Sequence, residues 1–271
     1  MALTDLQKRI MRRLAQNRSQ SSYLAGGVIL NLNWPRRSDD IDIFHDTDEE
    51  VSKAAEKDIA DLEQGGFRVT VDVRTYGTYE ATVSDDVAST VIQWMSDTRI
   101  RYFPLVRDEQ WGLRLHQVDL AVNKVLAAAS RRKARDFADI VAISANMCPI
   151  GPLIMAAAGK PPAYSPQKIV EQIRWHAQGI SNDEYSAVKG LPVDWTAEYI
   201  RNEVTRQMDL AEKYIMSAPV AAVAILSVDA NDTPVEVTGA TIKTAILRKA
   251  TEELDVMPTP AEFSTIPWGD H

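Results

Sequence analysis

Cysteine is nearly absent from this chain: Cys148 is the sole one among 271 residues. An internal disulfide and a thiolate zinc cluster are therefore both excluded, and the lone thiol reads as a small, half-buried apolar side chain. Histidine is sparse as well. His45, His116, His176 and His271 contain no H-x-x-x-H pair, which removes the zinc hydrolases. No window supplies the roughly 20 uninterrupted apolar residues of a membrane span. The first residues mix Lys8, Arg12, Arg13 and Arg18 with apolar side chains at helical spacing and lack the apolar run and cleavage site of a secretory signal. The expectation is a cytoplasmic protein that engages no membrane. Positive charge is in deficit too: a formal net charge of −8 excludes coating nucleic acid through a broad basic field. Only local patches remain, the clearest being Arg131, Arg132, Lys133 and Arg135, a type of run that is ordinarily a solvated helix face. G-x-S-x-G, P-loop and repeat patterns are missing. The acidic group Asp39, Asp40, Asp42, Asp46 and Asp48 lacks the spacing and central glycine of a calcium loop.

What is present is ordinary globular composition, 45% apolar and 25% charged, over a length that accommodates two domains. An amphipathic helix is expected over Leu3–Asn17, followed by a short apolar piece, Ser22–Leu32, broken by Gly26 and Gly27, and a polar turn through Trp34, Pro35, Arg36 and Arg37. A charged helix is expected over Glu49–Gln64, ended by Gly65 and Gly66. Strands are expected over Phe67–Arg74, Glu80–Val83, Ser89–Met95 and Arg99–Leu105. Asp119 reads as the N-cap of a helix reaching about Ala145. Five prolines and two glycines between Met147 and Pro166 set the expected boundary between a first domain, 1–148, and a mainly helical second one, 149–271. Within the latter, helices are expected over Pro166–Gln178, Thr196–Met216 and Thr241–Leu254, with a hairpin in Val220–Val237.

The segment with legible chemistry is Asp40-Ile41-Asp42-Ile43-Phe44. Alternation in a strand sends Ile41 and Ile43 to one sheet face and both aspartates to the other. Two carboxylates converging in this way offer the hard oxygen ligands that Mg²⁺ prefers, and carboxylate-held Mg²⁺ is what in-line transfer at a triphosphate requires. Upstream, Gly26 and Gly27 give backbone that a phosphate can approach closely, and Ser38 adds a hydroxyl donor. A third carboxylate is less legible: Asp72 has the right strand parity, while Asp97 ends the Ser89–Met95 strand.

The G-G then D-x-D order, carried by Leu24-Ala25-Gly26-Gly27 and Arg36-Arg37-Ser38-Asp39-Asp40-Ile41-Asp42, matches the signature of the polymerase-beta-like nucleotidyltransferase superfamily. It resembles in particular the first motif of the AbiEii-type nucleotidyltransferases, which include toxins of abortive-infection and toxin-antitoxin systems. Asp119 to Ala127 around Lys124, then Arg131 and Arg135-Asp136-Phe137-Ala138-Asp139, is similar to that family's later Lys and R-D-x-x-D motifs, and Arg101-Tyr102-Phe103-Pro104 to a segment of some members. The resemblance spans residues 20–145. It implies an α+β core, a mixed sheet flanked by helices, with a mainly helical C-terminal domain; Mg²⁺ at Asp40 and Asp42; an NTP held by Gly26, Gly27, Ser38, Lys124 and Arg131; and Asp136 as a further catalytic residue. Asp139, Arg135 and Asp97 are expected in support. The implied reaction moves an NMP to an acceptor hydroxyl, with tRNA or other RNA as acceptor and an antitoxin protein as partner. A small-molecule, aminoglycoside-like acceptor and a catalytically inactive binding module are the competing readings. At helical spacing Lys124, Ala128, Arg131 and Arg135 form one stripe. The competing structural reading makes Arg132–Asp136 and Arg135–Asp139 exposed i,i+4 ion pairs contributing about 0.3–0.5 kcal/mol each.

Overall fold

The computed structural model describes residues 3–34 and 36–253; Pro35 of the expected turn, Leu254 of the expected last helix and His271 lie outside them. The described residues fall into two compact units, one of residues 3–34, 36–99, 103–117 and 253, the other of residues 100–102 and 118–252. The residues on both sides of position 148 belong to the second.

The first unit begins with helix α1 (Asp5–Leu14). Thr4 caps it, accepting from the Gln7 backbone N–H at 3.1 Å while Gln7 Oε1 accepts the Thr4 N–H at 3.0 Å. Strand β1 (Ser22–Ala25), the one-turn helix α2 (Gly26–Leu30), strand β2 (Asp40–His45) and helix α3 (Asp48–Gln64) follow. Strands β3 (Arg68–Thr75), β4 (Thr78–Ser84), β5 (Ser89–Ser96), β6 (Val106–Asp108) and β7 (Gly112–Arg114) complete a seven-stranded sheet in the order β3-β4-β5-β2-β1-β7-β6. The sheet is mixed: β2 runs parallel to β5 and β1 parallel to β7, the other pairings being antiparallel.

Strand alternation divides this sheet into two chemically different faces. Ile41, Ile43, Tyr79, Ala81, Val83, Ile92 and Trp94 are buried on one face. Trp94 donates from Nε1 to Asp58 of α3 at 2.8 Å, so α3 covers that side. Asp58 also accepts from Arg18 and Asn17, which satisfies a fully buried carboxylate. Asp42, Phe44, Val91, Gln93, Met95, Glu80 and Thr82 are only half-buried on the other face. The expected strand over residues 67–74 forms as β3, but at the sheet edge, so its alternating valines stay exposed: Val71 at 44% and Val73 at 38%.

The second unit holds helices α4 (Gln117–Ser130, its first residue being in the first unit), α5 (Ala134–Asn146), α6 (Ile150–Ala157), α7 (Pro166–Gln178), α8 (Asn182–Ser186) and α9 (Ala197–Ser217), and the two-stranded pair β8 (Ile225–Val228) and β9 (Ile246–Lys249). Several expectations are corrected here. Residues 99–105 form no named strand; Arg101 makes an isolated bridge with Thr251. The proline-rich stretch contains the fully buried α6, because Pro152 sits in the first helical turn, where N–H groups have no intrahelical acceptor. The expected last helix is replaced by a short 3₁₀ turn, Thr241–Lys243, and by β9, whose partner is β8 rather than a strand within residues 220–237.

Candidate active site

The aspartates lie as strand parity requires. Asp40 and Asp42 share the open face of β2, Asp40 9% exposed and Asp42 half-buried. Ser38 Oγ donates to Asp40 Oδ1 at 2.9 Å. Ala25 pairs with Asp42 across the β1–β2 ladder, so the chain turns into α2 beside the second carboxylate. Gly26, at φ +68°, meets the Asp42 carboxylate there: a Cβ at this position would collide with its Oδ2. A Cβ on Gly27 would come within 2.5 Å of the buried Arg36 guanidinium and 3.0 Å of Ser38 Oγ. The two glycines thus let the turn lie directly against the carboxylate and hydroxyl groups. Asn31 fixes the turn from behind, donating from Nδ2 to Gly27 O at 3.0 Å.

Three further side chains support this arrangement. Gln7 of α1 donates from Nε2 to Ser38 O at 2.9 Å and to Thr90 Oγ1 at 3.3 Å, and Thr90 donates to Asp39 O at 2.9 Å. The backbone entering β2 is thereby fixed to α1 and β5. The third is Arg36, which donates from Nη1 to Arg37 O at 2.9 Å. Gln7 and Thr90 were not expected from the sequence, because each acts across a long chain separation.

Neither candidate third carboxylate lies beside the pair. Asp72 is on β3, three strands from β2, or roughly 14 Å at normal strand spacing, and its Oδ2 accepts from Thr82 at 2.6 Å. Asp97 follows β5 and donates its backbone N–H to His45 O at 2.9 Å, three residues beyond Asp42 along β2. The residue opposite Asp42 on β5 is Gln93, itself opposite Glu80 on β4, to which its side chain is hydrogen-bonded. Among the described residues no three His, Cys, Asp or Glu side chains are grouped to hold a metal. Asp40 and Asp42 nevertheless fit a hard divalent cation: they are two carboxylates on one open face, beside a turn that only glycine allows so close.

Lys124, Asp136, Asp139 and Arg131 come together in the second unit. Lys124 Nζ lies 2.8 Å from Asp136 Oδ1 and 3.0 Å from Asp139 Oδ2, and both aspartates are fully buried. Arg131 Nε donates to Asp136 Oδ2 at 2.8 Å. Burial alone would raise the Asp136 pKa, but the Lys124 and Arg131 cations outweigh it and hold it at about 2. The expected single stripe is corrected, since the helix breaks at residues 131–133 and Arg135, on α5, is not aligned with Lys124. The exposed i,i+4 pairs are also overturned: Asp136 and Asp139 turn inward to Lys124, and Arg132 bonds Gly179 O instead. Asp119 is not an N-cap. It is buried in the first turn of α4, accepting the Tyr102 N–H at 2.9 Å with Lys160 Nζ 3.8 Å away.

No helix among the described residues is long and apolar enough to cross a membrane. No protein-family model matches the sequence, and no curated protein matches it. Among solved structures, MenT4, a nucleotidyltransferase toxin from Mycobacterium tuberculosis, aligns with a TM-score of 0.57 at 14% identity, over 80% of this chain and 84% of that one. A putative nucleotidyltransferase from H. pylori aligns at 0.49 with 13% identity, over 79% of this chain and 98% of that one. JHP933 from Helicobacter pylori aligns at 0.47 with 14% identity, over 79% and 95%. The MenT4 likeness shows that this chain has the nucleotidyltransferase fold, and the expected α+β core is borne out.

Proposed function

We propose that this protein is a magnesium-dependent nucleotidyltransferase that moves an NMP from an NTP to an acceptor hydroxyl. The observation that carries this reading is the open-face pair Asp40 and Asp42, with Ser38 bonded to the first carboxylate and Gly26 against the second. An acceptor oxygen attacks the α-phosphorus, the bond from that phosphorus to the bridging oxygen breaks, pyrophosphate leaves with that electron pair, and the hydroxyl proton passes to solvent. Mg²⁺, when bound by Asp40 and Asp42, neutralises triphosphate charge and favours in-line geometry. The chain's own groups orient: Ser38 aims Asp40, and the Gly26–Gly27 turn, lacking side chains, packs directly against Asp42, Arg36 and Ser38 and so holds them in place.

Lys124 is assigned the triphosphate and Asp136 and Asp139 its support, an assignment resting on the sequence resemblance. The buried, doubly paired Lys124 agrees with a cation held in one position. The same resemblance favours RNA, a tRNA end above all, as acceptor, a cytoplasmic setting and an antitoxin partner. An inactive binding module has no chemical use for the Asp40, Asp42 and Ser38 arrangement.

The test is incubation of the purified protein with each α-phosphate-labelled NTP, Mg²⁺ and total bacterial RNA, beside an Asp40→Ala/Asp42→Ala control. Label entering RNA with wild type alone supports the reading. RNA left unlabelled by all four NTPs removes RNA as acceptor and moves small molecules and proteins forward.

A further inference from the structure

Strand β5 lies between β2 and β4, and its Gln93 pairs with Asp42 on one side and Glu80 on the other. Directly paired residues project to the same face, and the half-exposure of all three agrees, whereas flanking Ile92 and Trp94 are fully buried. Gln93 is thus the side chain next to Asp42 on the open face, where a third carboxylate would have to stand. Its amide is oriented by chemistry as well as register. Nε2 donates to Glu80 Oε2, and since a carboxylate only accepts, the amide has to turn its nitrogen to β4. With its nitrogen committed to β4, Oε1 is the terminal amide atom left to serve a ligand beside Asp42.

We propose that Gln93 Oε1 is a neutral oxygen donor to the metal site of Asp40 and Asp42, with Glu80 as the positioning residue that sets its orientation. This rests on the metal-dependent reading above. Amide carbonyl oxygens suit Mg²⁺ and Mn²⁺. Two carboxylates with one carboxamide carry one negative charge fewer than three carboxylates, so the site attracts a bare divalent ion weakly and relies on triphosphate oxygens for the rest. Gln93→Glu restores the missing charge.

Mn²⁺ binding to the full chain, followed by titration calorimetry and electron paramagnetic resonance with and without a non-hydrolysable NTP, tests this. Gln93→Leu and Glu80→Gln are expected to weaken Mn²⁺ on the order of tenfold, the former more, with unchanged melting temperature. Gln93→Glu is expected to tighten it by a similar factor in the absence of nucleotide, a gain that misfolding cannot mimic. Equal affinity in all four proteins, weaker binding by Gln93→Glu, or a wild type that binds no Mn²⁺ overturns the proposal. Gln93-dependent Mn²⁺ binding without nucleotide transfer would uphold it and remove the proposed reaction; transfer with Gln93-independent Mn²⁺ binding would do the reverse.

Discussion

The Asp42 carboxylate lies against the α-carbon of Gly26, which has φ +68° and no room for a Cβ. Glycine is therefore required at this position twice over, by backbone conformation and by space. Gly26→Ala is expected to destabilise the first unit by about 1–2 kcal/mol from the left-handed conformation alone. It should also displace Asp42 and reduce nucleotidyl transfer by on the order of a hundredfold, by analogy with other small misplacements in active sites. Urea unfolding and labelled-NTP assays on the same preparation separate the two effects. Full activity in a stably folded Gly26→Ala protein would show that the turn can retreat without consequence.

Asp40 and Ser38 form a hierarchy that substitution can rank. Asp40→Asn removes a charge from the proposed metal site, and transfer should fall below detection. Ser38→Ala removes one hydrogen bond to that carboxylate, a loss of about 1.5 kcal/mol or more and so about tenfold or more in rate at saturating NTP. Both residues are buried and bonded to each other, so the melting temperature of each variant is measured beside its rate to separate lost chemistry from lost fold. Parity between the two variants in rate would mean that Ser38 does more than orient Asp40.

Lys124 holds two buried carboxylates, Asp136 and Asp139, at 2.8 and 3.0 Å. Lys124→Met removes the cation between them, and is expected to cost about 3–5 kcal/mol in unfolding free energy. Adding Asp136→Asn should recover a large part of that cost, because it removes one of the two stranded charges. A double variant no more stable than Lys124→Met would show that the methylenes of Lys124, not its charge, carry the packing.

Legibility in the sequence followed the range of the interactions. Parity is local, so Asp40-Ile41-Asp42-Ile43 revealed both its strand and its two faces, and α7 was marked by Ser165 and Pro166 at its start. The helix break at residues 131–133 was hidden because Arg and Lys are good helix formers and nothing local marks the interruption. Strand β9 read as helix because its partner, β8, lies about twenty residues earlier, Ile225 pairing with Lys249. β6 and β7 are three residues each, too short for a periodic signal. Gln7, Thr90 and Gln93 are unremarkable in composition and acquire their roles from register alone. The inward turn of Asp136 and Asp139 was legible only through the family resemblance, which set both beside Lys124 in the site, since i,i+4 spacing to arginine alone favours the exposed alternative.

His45, fully buried behind β2, gives the protein a pH dependence with a definite sign. Burial, followed by the Arg18 cation, lowers its pKa from the ordinary 6.5 to about 4, the Ser21 backbone opposing the shift. Between those values the unfolded chain binds a proton that the folded chain refuses. Stability is therefore complete above about pH 6.5, declines as pH falls toward about 4, and loses about 3 kcal/mol from this group across the window. Asp136, held at about 2, acts with the same sign lower down, its contribution being lost as pH falls from the ordinary carboxylate range toward that value. Urea unfolding should accordingly show wild type less stable at pH 5 than at pH 7 by about 2 kcal/mol on account of His45. His45→Leu should flatten this interval while leaving the more acidic loss intact. An identical slope in both proteins would mean that the imidazole is protonated in the folded state, and that the Arg18–Asp58 pair beside it does not exclude a second cation.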